Sequence, residues 1–240
     1  MRSQPDAAPQ DRPAGAATMI LGMHRSGTSF LTGTLQQYGL ELGQHSTWNP
    51  HNTRGNRENE QIMKFHEAVL AARGHAWNDP PPGRVVWTEA ETAQAREIIA
   101  GYEGTPHWGF KDPRSLLCVE AWSELLPELN YVGIFRHPLA VARSLKKRGF
   151  TTIEDAVALW QHYNLRLLDL HRRQPFPVFS FEEPPEVLLA KIERVAHGLG
   201  LTQAVTEPFF APELRQQQPG DDRLPADVEA TLQSLHDIAC

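Results

Sequence analysis

Cysteine is nearly missing from this chain: two in 240 residues, Cys118 and Cys240, with no Cys-x-x-Cys pair. That excludes a disulfide framework and makes a reducing compartment the expected setting. No apolar run approaches the ~20 residues needed to cross a bilayer, and the opening MRSQPDAAPQDRPAGAA lacks the apolar stretch of a secretory leader. Residues 1–17 therefore read as a disordered tail and 18–240 as one domain, soluble and cytoplasmic. A basic excess is missing too. With 23 Lys and Arg against 29 Asp and Glu, the formal charge is −6, which argues against a general nucleic-acid binder. An anionic small molecule stays compatible with that balance if the cations are gathered locally. His51, His66 and His75 share no ligand spacing, so no metal is expected.

One further residue is missing where it would count most. Gly22-Met-His-Arg-Ser-Gly-Thr-Ser29 follows the apolar Thr18-Met-Ile-Leu21 with the spacing of a phosphate-binding P-loop, G-x-x-x-x-G-K-[ST], but Thr28 stands in place of the lysine. The nearest strong cation is Arg25. A strand delivering two glycines into the start of a helix lets backbone N–H groups converge where the helix end is partly positive, a setting that favours an anion. Ser26, Thr28 and Ser29 add hydroxyls, and Arg25 a planar, permanently charged fork. The plainer reading is a tight turn beside a surface arginine.

Beyond this loop the chain alternates helical and strand patterns. A helix carrying Phe30, Leu31, Thr34 and Leu35 runs to about Tyr38-Gly39, and a polar loop occupies 41–57. Asn56 reads as the cap of a helix with Ile62, Phe65, Val69 and Ala72 on one face, and Thr88-Glu-Ala-Glu91 as a capping box for the next. His107–Phe110 and Asn130–Phe135 read as strands, Asp112-Pro113 as a helix start with Cys118 inside that helix, and Pro138 as the opening of a helix closed by Gly149. Thr151-Thr-Ile-Glu154 reads as a second capping box, ahead of a long helix in which Trp160 and Tyr163 are core. A strand at Phe176–Phe181 and helices at 185–197 and 225–238 complete the pattern. Strands alternating with helices imply an α/β fold: three layers, P-loop-like, with a mainly parallel central sheet flanked by helices.

Two more clusters carry chemistry. In Phe135-Arg-His-Pro138 the strand ends in Arg136, where a P-loop nucleotidase would be expected to carry a magnesium-binding aspartate; Ser144 lies about two helical turns past Pro138, within reach of the same anionic group. In Gly109-Phe-Lys-Asp-Pro-Arg114, Lys111 precedes the helix start and could meet developing negative charge; alone it would read as a surface lysine. Lys146-Lys-Arg148 reads as a solvated helix end complementing the helix dipole, with some capacity to attract an acidic acceptor.

Taken together, Arg25-Ser-Gly-Thr-Ser29, Asn52-Thr-Arg-Gly-Asn-Arg-Glu58, Trp108-Gly-Phe-Lys-Asp-Pro-Arg114, Phe135-Arg-His-Pro138 and Phe209-Phe-Ala-Pro-Glu-Leu214 resemble the sulfotransferase superfamily, in particular its soluble bacterial members. The resemblance implies transfer of a sulfuryl group from 3′-phosphoadenosine 5′-phosphosulfate to a hydroxyl, or an amine, of a small molecule, sugar or peptide, without a metal. It implies that His24, Arg25, Ser26, Gly27, Thr28 and Ser29 hold the 5′-phosphosulfate, and that Arg136 and Ser144, eight residues apart, hold the 3′-phosphate. Lys111 would stabilise the bridging oxygen as its bond to sulfur breaks, Arg25 would count with it among the catalytic groups, and Glu58 would be the base, with Glu60 and His24 as alternatives. The rival readings are a non-catalytic nucleotide- or partner-binding module on the same fold and a P-loop phosphotransferase. The latter is disfavoured by the missing lysine and by Arg136.

Overall fold

The computed structural model describes residues 15–47, 55–149, 152–206, 209 and 223–240. Four parallel strands form its sheet in the order β2-β1-β3-β4: β1 (Ala16–Leu21), β2 (His107–Lys111), β3 (Asn130–Phe135) and β4 (Val178–Ser180). Each is short and almost continuously apolar because both faces are covered. Along β1, Met19 and Leu21 point into one core while Ile20 points into the other; along β3, Tyr131 and Phe135 oppose Val132 and Ile134. The period of two thus divides one run of apolar residues between two layers.

Helices α1 (Thr28–Gln37) and α7 (Pro185–Gly198) cover one face through Phe30, Leu31, Leu35, Leu188 and Ile192. The other face is covered by α2 (Glu60–Ala71), α3 (Glu89–Ala100), α4 (Val119–Leu125), α5 (Pro138–Lys146), α6 (Ile153–Arg173) and α8 (Ala226–Ile238). The three-layer α/β architecture expected from the sequence is the one observed. Among the described residues no helix is long and apolar enough to cross a membrane.

Several local readings shift. β1 begins at Ala16, so Ala16 and Ala17 belong to the sheet rather than to the tail; the rest of that tail, 1–14, lies outside the described residues. The cap of α2 is Asn59, not Asn56: its side-chain oxygen accepts from the backbone N–H of Gln61 and Ile62. The segment before it stays out of the helix because Ser46 and residues 57–58 exchange backbone hydrogen bonds of 3.1 Å and Arg57 takes a left-handed φ of 60°. On the same helix Ala72 is exposed, and His66 and Leu70 complete the buried face. Asp112-Pro113 opens a 3-10 turn, Pro113–Leu117, and Cys118 is the junction before α4 rather than a residue inside one helix. The cap of α6 is Thr152, which accepts from Asp155 N–H one residue later than the expected box; Thr151 lies outside the described residues. Thr88 and Glu91 form both halves of their capping box, as read.

Because β1 lies between β2 and β3, the chain leaves it toward one neighbour and returns on the other side, which creates a crevice at the carboxyl ends of the strands. The loop after β1, Lys111 at the end of β2, Arg136 after β3 and Phe181-Glu182 after β4 all meet there.

Candidate active site

The loop after β1 is shaped by its glycines. A side chain at Gly22 would put its Cβ 2.4 Å from the Ile134 carbonyl oxygen and 2.8 Å from the Thr28 methyl, and Gly22 has φ 153°. At Gly27, φ is 92° and a Cβ would stand 2.4 Å from the Phe181 ring. Between them Arg25 is itself left-handed, φ 70°, and Ser26 N–H donates to the Met23 carbonyl. Helix α1 then starts at Thr28 with no side chain capping it and no acidic residue in its first turn. Its first N–H groups are the unsatisfied, partly positive kind that an anion completes. Ser26 Oγ is fully buried and has no partner among the described residues. Such an orphan inside a glycine cradle calls for a ligand oxygen. Thr28 is buried and Ser29 donates its hydroxyl proton to the Asn56 carbonyl at 3.1 Å.

Lys111 fixes the second part. Its side chain is 2% exposed, yet it ends at the sheet edge, where Nζ donates to Glu58 Oε1 at 2.8 Å and to Ser29 Oγ at 3.4 Å. A lysine so buried needs a counter-charge, and Glu58 is it. Glu58 reaches that place because residues 57–58 pair with Ser46 before Asn59 starts α2; the Asn59 amide in turn donates to the Tyr102 hydroxyl. Glu60, by contrast, is 68% exposed and pairs with Lys64 one turn on, so it points away from this cluster.

Beneath Lys111 lies a buried network that the sequence did not announce. Asp112 Oδ2 accepts from His66 Nδ1 at 2.8 Å and Asp112 Oδ1 from Arg114 Nη1 at 2.8 Å; Arg114 Nη2 also donates to Glu67. Trp122 Nε1–H, which can only donate, points at His66 Nε2 at 2.8 Å. His66 thus accepts at Nε2 and donates at Nδ1. Burial would raise the Asp112 carboxyl, but the His66 hydrogen bond and the charge of Arg114 outweigh it and hold the group well below the usual carboxylate range. These ties clamp α2 to the end of β2.

Arg136 completes the third part. Its guanidinium lies 5.2 Å from the centre of the Phe181 ring, the ring that also packs on Gly27, and its Nε is 3.8 Å from Glu182. Glu182 also accepts from His137 N–H, a structural contact. Ser144, expected to share a phosphate with Arg136, accepts a 2.8 Å hydrogen bond from Arg25 Nε. Arg25 is pushed down to about 10, first by burial and then by the charges of Arg148 and Arg136, and so remains protonated at neutral pH. Arg25 and Arg136 thus share one edge of the molecule.

His24 lies against Trp77, ring centres 4.5 Å apart, and edge-on to Tyr163. Its Nε2 has no partner among the described residues. Burial and then the charge of Arg114 push it down to about 3, so it stays neutral and is a weak base. Trp160 and Tyr163 are fully buried core, as read. Of the 52–58 and 209–214 stretches, residues 52–54 and 210–214 lie outside the described residues.

The sulfotransferase family profile matches residues 18–183, and the chain belongs to that family. Among solved structures, the sulfotransferase domain of the Synechococcus PCC 7002 olefin synthase is similar over 98% of both chains at 19% identity, with a TM-score of 0.54, a likeness of fold. Sulfotransferase STF1 of Mycobacterium tuberculosis H37Rv aligns with 95% of this chain and 78% of its own at 16% identity, TM-score 0.47. A search of curated proteins finds no match.

Proposed function

We propose that the chain is a sulfotransferase that moves a sulfuryl group from 3′-phosphoadenosine 5′-phosphosulfate to the hydroxyl, or amine, of an acceptor by in-line displacement. The observation that carries this reading is the buried Lys111 ammonium, bonded to both Glu58 and Ser29 at the mouth of an uncapped glycine loop. That arrangement puts a cation, a carboxylate and an anion cradle at one point.

The residues present suit a doubly phosphorylated nucleotide. Ser26 Oγ, the first N–H groups of α1, Thr28, Ser29 and Arg25 would hold its 5′ end. Arg136 and Ser144 would hold the 3′-phosphate; the Ser144–Arg25 bond supports an arrangement in which the two anion pockets are braced against each other. When bound, the donor supplies the sulfuryl group and the nucleotide leaving group. Glu58 accepts the proton of the attacking hydroxyl as its oxygen bonds to sulfur, with only Oε1 engaged by Lys111 among the described residues. Lys111 offsets the charge that builds on the departing oxygen. His24, neutral and held against Trp77, serves as a hydrogen-bonding wall rather than as the base.

Turnover of the donor with a panel of hydroxyl acceptors tests this, comparing wild type with Lys111→Ala and Glu58→Gln. Removal of a general base lowers kcat by roughly 10²- to 10⁴-fold, so both variants should lose most of the product. Equal product from all three would remove the mechanism. No product from wild type, with the nucleotide still bound, would favour a non-catalytic binding module.

A further inference from the structure

From sequence, Lys146-Lys-Arg148 is a solvated helix end with some capacity to attract an acidic acceptor; the fold gives Arg148 a more specific place. Arg148 N–H bonds the Leu145 carbonyl and Lys147 N–H that of Arg143, so the helical path of α5 continues past Lys146. Arg148 therefore lies one turn after Ser144, on the same side of the helix. Ser144 is the residue whose hydroxyl holds Arg25 Nε at 2.8 Å. Arg148 is thus carried toward the glycine loop while its own side chain remains exposed. The neighbouring charges are consistent with that placement. Among neighbouring charges, Arg148 is the one that most disfavours protonated Arg25, ahead of Arg136, and Glu58 is the charge that supports Arg148.

Glu58 consequently sits in the field of two cations of different kinds. Lys111 is buried and in contact with it; Arg148 is exposed and acts from farther away. Lys146, Lys147 and Arg148 are consecutive and all exposed. On a chain of net charge −6 this is a local concentration of positive charge in the wrong place for general solubility and the right place for steering an anion.

We infer that the acceptor is itself anionic: Arg148 holds its carboxylate, sulfate or phosphate while its hydroxyl meets Glu58. The inference rests on the sulfotransferase reading, since it concerns the second substrate of that site. Arg148 is then the residue that sets acceptor specificity, and it contributes to acceptor binding rather than to bond cleavage.

The test is steady-state turnover of matched acceptors by wild type, Arg148→Gln and Arg148→Lys. The pairs are para-hydroxyphenylacetate with its amide and glucuronic acid with glucose, and 3′,5′-adenosine bisphosphate is titrated by calorimetry in parallel. Wild type should prefer the charged member of a pair. A charge-assisted contact is worth roughly a 10- to 100-fold change, so Arg148→Gln should lose that factor in kcat/KM with the charged member, mainly through KM. The neutral member and the bisphosphate affinity should change by no more than about twofold, and Arg148→Lys should recover part of the loss. The inference is overturned by equal use of charged and neutral acceptors, by use of neutral ones alone, or by no turnover of any while the bisphosphate binds. It is overturned equally if Arg148→Gln weakens the bisphosphate tenfold, which would assign Arg148 to the donor. Failure of wild type to bind the bisphosphate at all would instead strike the sulfotransferase reading underneath.

Discussion

Replacing Asp112 by Asn would remove one charge from a network that has almost no access to water. The Asp112 side chain is 0% exposed and accepts from His66 and from the side chain and backbone of Arg114. Asparagine keeps the shape but leaves Arg114, among the described residues, with Glu67 as its remaining ion pair, and that carboxylate is half exposed and screened by water. Breaking a buried pair in this way costs about 3–5 kcal/mol. For a chain of this size ~1 kcal/mol moves the melting temperature by ~2–4 °C, so Asp112→Asn should melt about 6–20 °C below wild type by circular dichroism. The pH dependence supplies a second readout. The folded-state pKa of Asp112 is depressed, so its contribution is present above the unfolded carboxyl value near ~3.9 and is lost as pH falls toward the folded one. The variant should lack that component of the acid-induced loss of stability. A melting shift below about 3 °C, or an acid limb identical to wild type, would refute the buried-charge reasoning.

Gly27→Ala combines a left-handed backbone, φ 92°, with a Cβ 2.4 Å from the Phe181 ring. Strain of ~1–2 kcal/mol and overpacking of ~1–3 kcal/mol should appear as lower thermal stability. Phe181 lies under Arg136, so the nucleotide affinity should fall as well, and a variant that binds as wild type would sever that link. His24 gives a pH effect of defined sign: its folded value, about 3, is below the ordinary 6.5, so unfolding takes up a proton and stability falls as pH drops through that interval. Denaturant midpoints across that range should fall less steeply for His24→Gln; parallel slopes would contradict burial of a neutral imidazole.

Much of the scaffold was legible because its signals are local. The strands at the sheet centre are short apolar runs, and Thr88 with Glu91 spells its own capping box. Where two equivalent signals stand close together the reading slips, as with Asn56 for Asn59 and Thr151 for Thr152. Strand pairing and an extended approach decide such cases, and those are set by residues distant in sequence. The site shows the same division. Motif spacing singled out Arg25, Lys111 and Arg136, but the contacts they make join residues far apart: Lys111 with Glu58, 53 positions away, and Arg25 with Ser144, 119 away. His66 carried no visible signal because one histidine on an apolar helix face looks the same whether or not an aspartate waits opposite it. Arg148 was visible only as part of a basic helix end, since its importance depends on where Ser144 points.

On the proposed function, fixed positive groups at one sheet edge hold a doubly phosphorylated adenosine without help from a metal ion. Calorimetric titration of 3′,5′-adenosine bisphosphate in the presence of EDTA tests it most directly. Saturable one-to-one binding, weakened at least about tenfold by Arg136→Ala through loss of charge-assisted hydrogen bonds, is the predicted result. Binding that requires magnesium, or a preference for ATP with magnesium over the bisphosphate, would contradict the account.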